Sequence, residues 1–234
     1  MAAGGHTLCH MQSSPGARAL VLDIGGVVLR NARELLQNRA ALGVPDVAAY
    51  VDAVDFAGPR DELWHRMLRY EVTERAFWAQ RATAIGAVLG VGSWTTRELI
   101  GWLYERPESD WLSREVLALM QDTSAAGLPL VALTNDLAEF HGQEWADAQD
   151  WLGYFDVVVD GSLTGVLKPD PAAYRLAIEA TGVPAAETVY LDDMPVNVAG
   201  GLAVGLQAIE VDHYDKGAAV AEARRRLGLD RPLT

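Results

Sequence analysis

The 234-residue chain is 50% hydrophobic and 22% charged, which excludes a disordered chain and allows one large α/β domain or a core carrying a smaller inserted one. Its 32 acidic and 19 basic residues give a formal net charge of −13, which argues against nucleic acid or an anionic membrane as partner; a bound cation beside one or two lysines still admits an anionic substrate. Cys9 is the one cysteine, so an intramolecular disulfide and a thiolate metal cluster are excluded, and no apolar run reaches the roughly 18 residues of a membrane span, which makes cytoplasm the expected location.

In chain order, residues 1–17 are rich in Gly, Ala, Ser and His and lack the basic start and apolar stretch of a secretory signal, so a flexible leader is expected. A short apolar run at 19–22 reads as a buried strand. Residues 31–111 then contain helical segments and no convincing strand. Asn31 with Glu34, and Thr95 with Glu98, form capping patterns, and Leu99, Trp102 and Leu103 follow helical spacing. Five of the seven tryptophans, Trp64, Trp78, Trp94, Trp102 and Trp111, fall in or at the edge of this stretch. It is expected to be a helical insert with its own small core, its aromatics mostly interior packing. Strands follow at 130–133, 157–159, 189–191 and 208–211. Asp136 is expected to cap the helix after the first of these. Asp170 caps another, with Pro171 at its first position and Tyr174, Ala177, Ile178 and Thr181 on one face. Strands alternating with helices imply a doubly wound parallel α/β sheet, whose ligands bind at the carboxyl ends of the strands.

Four segments place polar residues at those ends. In ALVLDIGGVV, Asp23 follows four apolar residues, and Gly25 and Gly26 let the backbone turn sharply toward a ligand; alone, a turn with a helix-capping Asp is an equal reading. In PLVALTND, Thr134 and Asn135 offer a hydroxyl and an amide, which a phosphate needs and which ordinary turn chemistry also uses. In GVLKPDPAAY, Lys168 stands before a Pro-Asp-Pro helix start, a point charge aimed by its backbone. In TVYLDDMPVNVAGG, Asp192 and Asp193 are adjacent carboxylates that repel unless a cation neutralises them, and Asn197 lies one helical turn on. A hard metal bound by oxygen is the simplest explanation, and Mg²⁺ fits best.

These four segments, in this order, resemble the four motifs of the haloacid dehalogenase-like hydrolase superfamily, over most of the chain from Ala19 to about Asp212. The fourth looks most like the Asp-Asp-x-x-x-Asn variant of the branch that includes bacterial sugar-phosphate phosphatases and the phosphatase domain of soluble epoxide hydrolases. The resemblance implies a Rossmann-like core over 18–30 and 112–234, with a helical cap over 31–111. It implies a Mg²⁺-dependent phosphatase of a small phosphorylated metabolite, acting through an aspartyl-phosphate. Asp23 would be the nucleophile, and Thr134, Asn135 and Lys168 would hold the phosphoryl oxygens. Asp23, the carbonyl of Gly25 and Asp193 would bind the metal. Asp192 would be a supporting or alternative ligand, and Asn197 would orient the metal loop.

The pattern is broken at Gly25, where most phosphatases of the family carry an acid/base aspartate. That leaves alternatives: a non-hydrolytic phosphate- and metal-binding member, or a 2-haloacid dehalogenase, against which the Asp192–Asp193 pair argues. A phosphatase would need a good leaving group, such as an anomeric sugar phosphate, or an acid from the cap. His65 is the residue to test for that role, with Arg66, Arg60, Arg69, Trp64 and Trp78 as further candidates to line the pocket.

Overall fold

The computed structural model describes residues 16–38, 43–212 and 215–230. Five strands, β1 (Ala19–Leu22), β2 (Leu130–Thr134), β3 (Val157–Asp160), β4 (Thr188–Asp192) and β5 (Gln207–Glu210), form one sheet in the order β3-β2-β1-β4-β5. Every pairing is parallel. The doubly wound sheet expected from the alternation of strands and helices is therefore present.

The alternation of side chains along each strand fixes which face each residue meets. Leu20, Leu22, Leu130, Ala132, Val189 and Leu191 enter one apolar cluster. Val21, Val131, Leu133 and Tyr190 enter the other. Helices α6 (Arg114–Ala125) and α12 (Lys216–Leu227) cover the first face, through Val116, Leu119, Ala219 and Ala223. Helix α10 (Pro171–Thr181) covers the second, through Ala173, Tyr174 and Ala177. The runs at β1, β2 and β4 are buried throughout, whereas Val157 and Val158 of β3 are 40% and 39% exposed. The apolar run of β3 looked equally interior in the sequence; its position at the sheet edge leaves it one neighbouring strand.

Between β1 and α6 the chain forms α1 (Ala32–Gln37), α2 (Pro45–Ala53), α3 (Glu62–Leu68), α4 (Glu74–Val88) and α5 (Thr96–Tyr104), with no strand among the described residues. Both expected capping boxes are present, at Asn31–Glu34 and Thr95–Glu98. The core of this stretch is not its own: Phe77, Ile85, Leu99 and Leu103 belong to the same continuous cluster as Leu20 and Leu119. Trp78 and Trp111 are buried, and Trp94 packs on Trp102 at 5.7 Å. Asp136 differs from expectation. It stands at the start of α7 (Leu137–His141) without a side-chain cap, because Arg75 Nε of α4 donates to its carboxylate at 2.8 Å; Asp160 accepts the free Ala138 N–H instead, at 2.7 Å.

Residues 1–15 of the expected leader, Cys9 among them, lie outside the described residues; Ala17 is already buried, its N–H bonded to Arg226 O at 3.0 Å. No described helix is long and apolar enough to cross a membrane.

Asp61, at the start of α3, anchors the helical stretch. It accepts the N–H groups of Trp64 and Ala57 and is ion-paired with Arg81, both side chains being under a tenth exposed. Arg81 also donates to Tyr50 Oη and lies over both the Phe56 and the Phe77 ring. Removing one partner strands a buried charge, so Asp61→Ala should destabilise the fold by about 3–5 kcal/mol in urea unfolding.

Candidate active site

Strand β1 lies between β2 and β4, whose onward connections run in opposite directions across the sheet, and a crevice opens at that switch point. Asp23 follows β1, Thr134 and Asn135 close β2, and Asp192 and Asp193 close β4. Lys168 arrives on the loop before α10, through a cis bond to Pro169. Asp23, Gly25, Thr134, Asn135, Lys168 and Asp193 all line one cavity. The four segments singled out in the sequence therefore converge.

Lys168 is the centre of the arrangement. Its side chain is 1% exposed, and Nζ contacts Asp192 Oδ2 at 2.7 Å and Asp23 Oδ1 at 2.9 Å. Burial favours the neutral amine, but the two carboxylates outweigh it and hold the ammonium charged. Asp192 is fully buried and fully engaged. Besides Lys168 it accepts from Tyr190 Oη, from Asn197 Nδ2 at 3.1 and 3.2 Å, and from Met194 N–H at 2.8 Å. Asp23 accepts the Ile24 N–H at 2.8 Å, also on Oδ1. Burial raises the Asp23 carboxyl to about 7, with Lys168 pulling it down and Asp192 pushing it up. Asn135 grips the Lys168 backbone: Lys168 N–H donates to its Oδ1 at 2.8 Å, and its Nδ2 donates to Lys168 O at 3.2 Å. Its side chain thus positions the lysine, a role its sequence context did not indicate.

Asp193 is held on the cavity side. Burial, then the charges of Asp192 and Asp23, push its carboxyl well above the usual range. Asn31 Nδ2 donates to Asp193 Oδ2 at 3.0 Å. Gly26, at φ +81°, passes so close that an added Cβ would stand 2.1 Å from the same oxygen. Ligand oxygens of Asp23, Asp192 and Asp193 lie within 4.8 Å of one another. Two buried carboxylates paired with one ammonium, and a third that is half-buried beside them, form a donor set suited to a hard divalent cation. At Gly25 the situation is the reverse: a Cβ there would have nothing within 4 Å and no unusual φ to adopt.

The remaining expectations divide by position. Trp64 and Trp78 line the cavity, whereas His65, Arg66, Arg60 and Arg69 do not. The His65 ring contacts Pro59 O at 3.2 Å, Arg66 pairs with Glu71, Arg60 with Asp55, and Arg69 with Glu62 and Glu71. These side chains answer partners within the helical stretch. Cavity residues that the sequence did not single out for the site include Asn31, Arg33, Glu74, Tyr104 and His141. Asn31 carried a capping signal and nothing more. Glu74 accepts from Trp78 Nε1 at 3.3 Å, and desolvation raises its carboxyl above the ordinary value.

His141 stacks on Trp145 at 4.0 Å, and burial pushes its imidazole down to about 3 from 6.5. Below its ordinary value the unfolded chain takes up a proton that the folded one refuses. The stabilisation is thus present above that value and lost as pH falls through the window toward the folded one. His141→Phe should therefore lose less stability than the parent protein between about pH 7 and about pH 4.5 in urea unfolding. Gly26→Ala should displace Asp193 and, where these carboxylates hold a divalent cation, weaken its binding by about tenfold or more in titration calorimetry.

A family model described as haloacid dehalogenase-like hydrolase matches residues 17–205. Curated relatives include acyl-CoA dehydrogenase family member 10 of Mus musculus, 26% identical over 90% of this chain but spanning only 19% of that protein's length. The sesquiterpene phosphatase astK of Aspergillus oryzae is 24% identical over 90% of this chain and 97% of its own. The phosphoserine phosphatase of Thermus thermophilus is 26% identical over 86% and 84%. In fold the chain is similar to a HAD phosphatase from Thermococcus onnurineus (TM-score 0.56, 22% identity, covering 92% and 100%). It is also similar to the L-2-haloacid dehalogenase RSc1362 (TM-score 0.55, 20% identity, covering 85% and 87%).

Proposed function

The chain belongs to the haloacid dehalogenase-like hydrolase family, and from that premise we propose that it is a Mg²⁺-dependent phosphatase of a small phosphorylated compound, working through an aspartyl-phosphate on Asp23. The observation that carries this reading is the Lys168 ammonium held between Asp23 and Asp192, with Asp193 close enough that ligand oxygens of the three carboxylates lie within 4.8 Å of one another. A dehalogenase, attacking carbon without a metal, has no use for that third carboxylate.

Asp23, the Gly25 carbonyl and Asp193 would hold Mg²⁺, with Asp192 as the anion behind them. The ion would neutralise charge on the phosphoryl oxygens and fix the ester for in-line attack. The Ile24 N–H and Lys168 both engage Asp23 Oδ1, and a carboxylate oxygen of Asp23 attacks phosphorus as the bond to the leaving oxygen breaks. Lys168 and Thr134 stabilise the phosphoryl oxygens, and Lys168 favours the ionised form of Asp23 against the effect of burial. Water then cleaves the acyl-phosphate, giving inorganic phosphate and free Asp23. Residues 31–111 serve as the cap over the core at 18–30 and 112–234.

Gly25 brings no proton donor to this cycle. Glu74, from the cap side of the cavity, takes that role: its desolvated carboxyl retains a proton to higher pH than an ordinary glutamate, which suits an acid for the leaving oxygen. Once ionised, it receives the proton of the attacking water. Names among the relatives join a sesquiterpene phosphatase and a phosphoserine phosphatase; kinship thus supports the phosphate ester and leaves the alcohol open.

Hydrolysis of p-nitrophenyl phosphate should require Mg²⁺, stop on chelation, and fall by at least about 10³-fold in Asp23→Asn. Metal binding without hydrolysis of any ester would point to a non-hydrolytic member instead. For esters with poor leaving groups, Glu74→Gln should lower kcat by about 10²-fold, and Gly25→Asp, for which there is room, should restore it in the double variant. An unchanged kcat in Glu74→Gln would remove Glu74 from the mechanism.

A further inference from the structure

Resting on the phosphatase reading, we infer that the alcohol released from the ester is apolar, of the alkyl, prenyl or aryl kind, and neither a sugar nor a hydroxy acid. The cavity has two chemically distinct ends. One is the polar cluster of Asp23, Lys168 and Asp193. The remainder of the wall is dominated by hydrocarbon: Trp64, Met67, Trp78 and Ile100 from the helical stretch, with Leu137 and Phe140 from α7. Several polar groups elsewhere on the wall already have partners in the protein. Asp136 is held by Arg75, the Glu74 carboxylate takes the Trp78 N–H, the Asn31 side chain serves Glu34 and Asp193, and the His141 ring is neutral and stacked on Trp145. Arg33, the other cavity-lining cation besides Lys168, lies over the face of Trp64 at 5.1 Å.

A sugar or carboxylated leaving group seated here would exchange water for hydrocarbon at several hydroxyls or a charge. Each unanswered polar group costs about tenfold in binding. An alkyl or prenyl chain loses nothing of that kind and covers apolar wall. Each buried methylene should contribute about fourfold to kcat/KM until the wall is filled.

The test is kcat/KM of the full chain with Mg²⁺ for n-alkyl phosphates of increasing length and an isoprenyl monophosphate, against glucose 1-phosphate, phosphoserine and phosphoglycolate, with p-nitrophenyl phosphate as the reference. A rise of about fourfold per methylene, and a preference of about 100-fold or more for the longest chains over phosphoglycolate, is the expected result. A flat series, or preference for any of the three polar esters, while p-nitrophenyl phosphate is hydrolysed, overturns the apolar assignment and leaves the phosphatase standing. Failure to hydrolyse any ester, the reference included, overturns both.

Discussion

The site depends on one buried cation. Lys168 is almost without solvent, and an ammonium in that position is tolerable only because Asp23 and Asp192 both reach it within hydrogen-bond distance. The two carboxylates are not equivalent. Asp192 receives Lys168, Tyr190, Asn197 and a backbone N–H, so its charge is spent inside the protein. Asp23 keeps one oxygen outside those bonds. Lys168 is positioned for this by its own backbone, which Asn135 clamps from the end of β2, so the lysine is tied to the strand beside the one that carries Asp23.

Much of this was legible in the sequence, for a physical reason. Parallel strands buried on both faces are continuous apolar runs, and a polar residue that ends such a run must lie at a sheet edge. Asp23, Thr134 and Asp192 could thus be placed together without coordinates, whereas Lys168, on the loop before α10, joined them only through the family resemblance. What such reasoning could not reach were roles set by neighbours distant in the chain. Nothing in the sequence around Asn135 indicates the clamp it forms on Lys168, and nothing in Asp136 distinguishes a helix cap from the Arg75 partner it is. The order of Asp192 and Asp193 did not say which would be sealed in; Tyr190, two residues back on the same strand, and Asn197 decide it. His65 looked suitable by type, but the turn of α3 that carries Trp64 and Met67 into the cavity turns His65 toward Pro59. Glu74 and His141 carried no motif at all; they matter only because α4 and α7 meet over the same crevice.

The cavity joins two environments that separate elsewhere in proteins: a dense cluster of charge and a wall of indole, thioether and aliphatic surface. The proximity is useful. Hydrocarbon near a phosphoryl site excludes water, and fixed charges act more strongly where water is scarce. It also accounts for the raised carboxyls of Asp23, Asp193 and Glu74, each led by desolvation. The open space at Gly25 lies within this setting, beside the nucleophile rather than on the wall.

Asn31 connects the two halves of the arrangement in a single side chain. Its carbonyl oxygen caps α1, its backbone N–H is received by Glu34, and its amide nitrogen reaches Asp193. The first turn of the helical stretch and the carboxylate loop after β4 are thereby mechanically coupled. A force that pulls α1 away from the sheet must first break the bond to Asp193, and an ion that draws on Asp193 is felt at the root of the stretch that covers the crevice. The entrance side of the crevice and the carboxylate at its floor thus share one amide side chain.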